Sequence, residues 1–199
     1  MKTENVVLMR MARESLSGKW GLAVGTIFVY LLIVGAIQGG VRIYPASGLI
    51  GIILAGPMAL GLSIFSLALA RNQQARFEQI FDGFFHFGTS LAAYLLMVLF
   101  VILWTLLLII PGIIAALSYS LTFFILADDP SIGPMEAIDK SKKMMYGFKW
   151  KYFCLALRFL GWAILCLFTL GIGFLWLIPY MQVSFANFYD DVKANQANI

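Results

Sequence analysis

No charged side chain occurs between Thr89 and Ala127. One α-helix over that stretch would be roughly 58 Å long at about 1.5 Å per residue. The hydrocarbon core of a bilayer is about 30 Å thick, so the stretch predicts two crossings. The break available is Pro111-Gly112, where proline withholds an N–H from the preceding turn and glycine permits a sharp turn. The first limb, Thr89 to Ile110, is long enough to span. The second, Ile113 to Ala127, reaches roughly 22 Å and has to be short, tilted or begin below the surface.

The rest of the chain agrees. Of 199 residues 61% are hydrophobic, against 14 basic and 10 acidic side chains. That excludes a soluble domain and a disordered chain. The net charge of +4 does not point to nucleic acid, because the cations lie between apolar runs, where they set orientation. Those runs are Trp20–Gln38, Gly48–Ala70, the two limbs above, Tyr152–Leu170 and Phe174–Tyr189. The first 19 residues lack a compact apolar core, so the first membrane helix is the expected uncleaved targeting signal. Cys154 and Cys166 lie in one apolar run, roughly 18 Å apart along a helix, too far to pair.

Three polar segments read as interfacial amphipathic helices. Residues 3–18 bring Val7, Met11 and Ala12 to one face. In Arg71–Gly88, Phe77, Phe81 and Phe84 are expected to dip into lipid. The same segment spaces Glu78, Asp82 and His86 by four, either a solvated face or a metal set; one helix face supplies few ligands, and Gly83 loosens it. The third helix begins near Pro134 and ends near Tyr146, with Lys140, Lys142 and Lys143 on it and Lys149 and Lys151 beyond. Lysines at a membrane surface attract anionic lipid by about 1 kcal/mol each, or serve as a topology signal. The last eight residues read as a polar tail.

Within the spans, Gly21-x3-Gly25 and Gly35-x3-Gly39 suit close packing inside the molecule rather than dimerisation. Gly51, Gly56, Pro57 and Gly61 interrupt the second span, as a structural kink or as exposed backbone for a substrate. Ser118, Tyr119, Ser120 and Thr122 either pack between helices or line a polar path. Arg158 sits about two turns into an apolar run. It snorkels, pairs with an acid such as Asp128 or Asp190, or serves a substrate or lipid headgroup.

The predicted fold is all-α: a single integral membrane domain over 1–199, with six transmembrane helices as three hairpins, each preceded by a cytoplasmic interfacial amphipathic helix. Segments 1–19, 71–88, 128–151 and 190–199 hold twelve Lys and Arg, whereas the opposite loops hold only Arg42. Both termini are therefore expected in the cytoplasm. Gly18, Gly83 and Gly147 recur at even spacing. Pro57, Pro111 and Pro179 are each followed by a serine: Ser63, Ser118 and Ser184. Three repeat-like units follow, 1–70, 71–127 and 128–191.

IIPGIIAALSYSLTFFILADDP, EAIDKSKKMMYGFKWKYF and FLGWAILCLFTLGIGFLWLIPY, with MARESLSGKWGLAV near the start, resemble the bacterial membrane family known as domain of unknown function 975. The resemblance covers nearly the whole chain and implies a six-span fold with no assigned activity. More distantly, the proline-glycine pair, the Ala-x3-Ser helix and the following Lys-Trp look like the membrane part attached to some glycerophosphodiester phosphodiesterases. That implies work on lipid by analogy; the phosphodiesterase catalytic domain has no counterpart here.

The functional expectation is a non-enzymatic protein of the cell membrane that binds or translocates a lipid or other amphiphile. The contact residues named for that role are Arg158, Ser118, Tyr119, Ser120, Thr122, Lys142, Lys143 and Lys149. Its partners are membrane lipids, anionic ones among them. The alternatives are a structural subunit bound to another membrane protein, or an interfacial lipid enzyme using Asp82, His86 and Asp128. No cofactor or metal is expected: the one histidine is His86 and all ten acids lie outside the spans.

Overall fold

The computed structural model describes residues 3–43 and 47–197; Tyr44, Pro45 and Ala46 of the first loop lie outside the description, as do the side chains of 40–47, Arg42 among them. Regular structure among the described residues is helical throughout. The order is α1 (Asn5–Leu16), α2 (Trp20–Ile43), α3 (Ser47–Ala70), a 3-10 segment (Phe77–His86), α4 (Phe87–Leu107), α5 (Ile109–Tyr119), α6 (Thr122–Asp128), α7 (Pro134–Met144), α8 (Lys149–Leu167) and α9 (Phe174–Ala197). Five stretches are long and apolar enough to cross a membrane: Trp20–Gly39, Gly48–Ala70, Phe77–Leu107, Ile109–Asp128 and Lys149–Leu167. Their outer faces display bare apolar side chains such as Leu99, Ile102, Leu103, Leu157, Trp162 and Leu165. A water-exposed surface seldom carries apolar patches of that extent.

α9 is long, but Gln182, Ser184, Asn187, Asp190 and Asp191 make it less apolar than those five. It can be so because it runs through the interior. Val183, Ala186, Phe188, Tyr189 and Val192 are buried, and α9 packs against α1, α2, α3 and α8. Its polar groups are served locally: Ser184 Oγ donates to the Tyr180 carbonyl at 2.8 Å, and Asn187 Nδ2 donates to the Leu8 carbonyl at 3.5 Å. The expected polar tail is thus helical to Ala197, with Val192 in the core.

α3 is the packing axis on the other side. The glycines read as interruptions are its contact surface. A Cβ on Gly61 would land on the Ile80 carbonyl, one on Gly56 on the Ser90 carbonyl, and one on Gly83 on the Pro57 carbonyl. The segment at 77–86 therefore lies backbone to backbone on α3. In a 3-10 helix residues three apart eclipse, which sets Ile80 and Gly83 together on the α3 side. Both are buried, while Phe85 is 85% exposed. The expectation of a free amphipathic α-helix is corrected here: Phe77 and Phe84 are half-buried, and Phe81 is exposed. On α2 the outcome is reversed. Among the described residues nothing beyond their own helix backbone lies within 4 Å of a Cβ on Gly21, Gly25, Gly35 or Gly39, so these glycines make no close helix contact there.

The uncharged central stretch breaks at Leu108, whose backbone is extended (φ −163°, ψ 145°), and Pro111-Gly112 falls in the first turn of α5. Proline is tolerated there because the first N–H groups of a helix have no intrahelical partner. A second break separates α5 from α6. Ser141 of α7 bridges it: its hydroxyl donates to the Ser118 carbonyl at 2.8 Å and accepts from the Leu121 N–H at 3.2 Å. Ala137, Ile138 and Ser141 are buried beneath the break, while Lys142 and Lys143 face outward. Ser141→Ala strands a buried donor and a buried acceptor, and we expect a loss of about 1–3 kcal/mol, read as a lower unfolding midpoint in detergent.

Some of the residues that recur along the sequence serve alike. Gly18 and Gly147 both adopt φ +77° where an amphipathic helix ends and a long apolar one begins. Gly83 has the packing role instead. Ser63, Ser118 and Ser184 each donate to the carbonyl four residues back. α1 also differs from expectation in its face. Leu8, Ala12, Ser15 and Leu16 are buried against α9 and α3, whereas Met11 is exposed.

Candidate functional site

The charges gather at one end of the bundle. Arg71, just past α3, donates to Asp128 Oδ1 at 2.7 Å from Nη1, to Asp190 Oδ1 at 2.7 Å from Nη2, and to Asp190 Oδ2 at 3.1 Å from Nε. Tyr189 Oη donates to Asp128 Oδ2 at 3.0 Å, and Lys193 pairs with the same oxygen. The hydrogen bond to Asp190 raises the Arg71 pKa above its ordinary value against the opposing effect of burial, and the one to Asp128 adds to it. A second group ties α1 and α8 to α9: Lys151 Nζ donates to Asp191 Oδ2 at 2.6 Å, the Thr3 hydroxyl reaches Asp191 Oδ1, and Asn5 Nδ2 donates to the Lys151 carbonyl at 2.9 Å. Asp128 and Asp190 thus belong to Arg71. Of the readings open to Arg158, pairing with one of these acids is not found among the described residues.

Arg158 is exposed instead, and makes no ion pair among the described residues. It lines a groove of about 490 Å³ with Val6, Met9, Arg10 and Arg13 of α1, Trp162 of α8 and Tyr180 of α9. A second groove, about 480 Å³, shares Val6 and Arg158 with the first. The local reasons are simple. Residues four apart share a helix face, so Trp150, Cys154, Arg158 and Trp162 form one stripe along α8. Burying Leu8, Ala12 and Leu16 turns Arg10 and Arg13 outward. The one ion pair made by Arg10, Arg13 or Arg158 among the described residues is that of Arg10 with Glu14, at 3.9 Å, with both side chains 69% exposed. Such a pair contributes little, so the groove keeps its positive charge.

The other named residues fall elsewhere. Ser118 Oγ donates to the Ile114 carbonyl at 2.6 Å, Ser120 Oγ to the Leu117 carbonyl at 2.9 Å, and Thr122 Oγ1 to the Tyr119 carbonyl at 2.8 Å. Tyr119 is 7% exposed and its ring lies 6.1 Å from that of Phe100. The Ser118 bond lies within α5, that of Thr122 reaches back across the α5–α6 break, and the Ser120 hydroxyl also meets the Tyr152 hydroxyl of α8. Lys149 edges a separate apolar slot of about 340 Å³ between Ile113, Ile114, Leu117, Trp150 and Phe153. Glu78, Asp82 and His86 do not converge: at three residues per turn, a spacing of four rotates each by about 120° from the last. No three His, Cys, Asp or Glu among the described residues form a ligating group. Both cysteines are free and half-buried. Sequence reasoning missed Arg10, Arg13, Trp162 and Tyr180; for Trp162 the four-residue spacing on α8 was the available signal.

Bare apolar flanks, five helices fit to cross a bilayer and a charged rim at one end are compatible with a multi-pass membrane protein. The chain belongs to the family described as "Protein of unknown function (DUF975)", whose model matches residues 1–122 and 105–196. No curated protein and no solved structure matches it.

Proposed function

We propose that this chain is a multi-pass protein of the cell membrane that binds the phosphate of a phospholipid headgroup in the groove between α1 and α8. It does so with both termini in the cytoplasm and with six spans as three hairpins, α9 being the sixth. The carrying observation is that Arg10, Arg13 and Arg158 line one groove together with Trp162, Tyr180, Val6 and Met9. Guanidinium groups match phosphate geometry and bind it bidentately. The aromatic and apolar members suit the glycerol and upper acyl region. Binding rather than chemistry is the reading because arginines neither take nor give a proton near neutral pH. The distant likeness to the membrane part of glycerophosphodiester phosphodiesterases is in keeping with lipid as ligand, by analogy only. Lys142 and Lys143 on the outer side of α7 would add attraction to anionic lipid.

Native mass spectrometry in mild detergent tests this. The protein should retain one phospholipid class at fixed stoichiometry, and Arg158→Leu should weaken retention about tenfold, the equivalent of one charge-assisted hydrogen bond. Ser118→Ala should leave retention unchanged, since its hydroxyl donates within α5. Nonselective bulk lipid in the unaltered protein would refute the groove reading. A second reading, a structural subunit, is favoured by one observation: Gly21, Gly25, Phe28, Leu32, Gly35 and Gly39 share an exposed face of α2.

A further inference from the structure

The two grooves that share Val6 differ in character. The first contains only cations among its charged groups. The second is lined by Thr3, Glu4, Asn5, Val6, Gly147, Trp150, Lys151, Cys154 and the shared Arg158. Its lysine is already neutralised: Lys151 is paired with Asp191, and their side chains are only 14% and 8% exposed. Glu4 is exposed, caps no helix with its side chain and has no ion pair among the described residues. The same groove holds Trp150, 75% exposed, its ring held by stacking on Phe153 at 5.5 Å. A carboxylate without an ion pair among the described residues, sharing a groove with an exposed indole, is an arrangement that attracts an organic cation, by charge and by the ring quadrupole. One groove suits phosphate and its neighbour suits ammonium, and Arg158 lies in both.

We infer that the occupant is a zwitterionic phospholipid of the phosphoethanolamine type, its phosphate on Arg10, Arg13 and Arg158 and its ammonium between Glu4 and Trp150. This rests on the groove binding a lipid phosphate, and adds the class of headgroup. The order along α8 fits the order along such a lipid. Trp150 lies near the charged end, Arg158 about 12 Å further in and Trp162 about 6 Å beyond that. Ammonium, phosphate and glycerol follow the same sequence from water toward the bilayer interior. The guanidinium of Arg158 covers part of the span between the outer two, since it lines the groove that contains Trp150.

The test is competition in detergent with equal amounts of phosphatidylethanolamine, phosphatidylglycerol and phosphatidic acid, read by native mass spectrometry of the full chain. The unaltered protein should retain phosphatidylethanolamine at least fivefold over each of the others. Glu4→Gln combined with Trp150→Leu should remove that preference while total bound phospholipid stays the same. Arg158→Leu should reduce all three. Thermal unfolding of each variant shows that the bundle is intact. Equal or better retention of phosphatidylglycerol or phosphatidic acid by the unaltered protein overturns the headgroup assignment and leaves the phosphate groove standing. Retention of none above bulk lipid overturns both. Displacement by water-soluble phosphoethanolamine at the same concentration also overturns the lipid assignment, by showing that the acyl part is not read.

Discussion

Gly61→Ala and Gly83→Ala should each prevent recovery of a folded, monodisperse protein. The two glycines face one another across the contact of α3 with the 77–86 segment, and the atoms their Cβ would strike are main-chain carbonyls of Ile80 and Pro57. No flexible side chain can yield there. Relief requires the 3-10 segment to lift from α3, which uncovers Ile80, now fully buried, and shifts the start of α4. Overpacking of this kind costs about 3 kcal/mol, and more where backbone has to move. Against a total stability of about 5–15 kcal/mol that is a large share. The control is Gly21→Ala with Gly25→Ala on α2, where among the described residues nothing beyond the helix's own backbone lies within 4 Å of the new methyl groups; that pair should elute and unfold as the parent does. Normal size-exclusion behaviour of Gly61→Ala would contradict the backbone contact.

Arg71→Leu should be nearly as damaging, for an electrostatic reason. One guanidinium satisfies carboxylates from two helices, Asp128 at the end of α6 and Asp190 of α9, whose side chains are 13% and 33% exposed. Removing it leaves two acids facing each other at the edge of an apolar bundle. Losing one partner from a largely desolvated ion pair costs about 3–5 kcal/mol, and partial exposure here favours the lower end. Adding Asp128→Asn and Asp190→Asn to Arg71→Leu should recover much of the loss, because no desolvated carboxylate is then left without its guanidinium; Lys193 loses Asp128 as partner, but its side chain is 53% exposed. If the triple variant unfolds at the same midpoint as Arg71→Leu, the damage lies in packing rather than charge.

What the sequence made legible follows from what it encodes locally. A run of uncharged residues from Thr89 to Ala127 can only be helical and only in an apolar layer, so its division was predictable. The place was not: Leu108 takes the extended turn and Pro111 enters the next helix, because a proline is as acceptable in a first turn as at a break. The second break, at Ser120 and Leu121, depends on a hydroxyl from Ser141, some twenty positions away, and has no local mark. Glycines illustrate the same limit. Gly21, Gly25, Gly35 and Gly39 of α2 look like Gly51, Gly56 and Gly61 of α3 in the sequence, yet only Gly56 and Gly61 among these meet another backbone, and Gly51 meets the Ile37 side chain. The face of α1 was misjudged because its inner side is set by α9, which lies at the far end of the chain. For the site, Arg158 was visible as a lone charge in an apolar run. Its companions Arg10 and Arg13 come from α1, and no spacing rule connects the two segments.

The enclosed position of α9 bears on how the molecule is assembled during synthesis. Helices α1 to α8 are made first, and until α9 arrives Leu8, Phe65, Leu69 and Phe159 have an empty slot in front of them. α9 is too polar to settle in an apolar layer alone, so it enters as the closing stave of a barrel whose other staves already stand. The ion pairs of Asp190 and Asp191 with Arg71 and Lys151 fasten it once it is seated. A nascent chain stalled before Phe174 is therefore an open bundle, and should be cleared by membrane proteases far faster than the finished one.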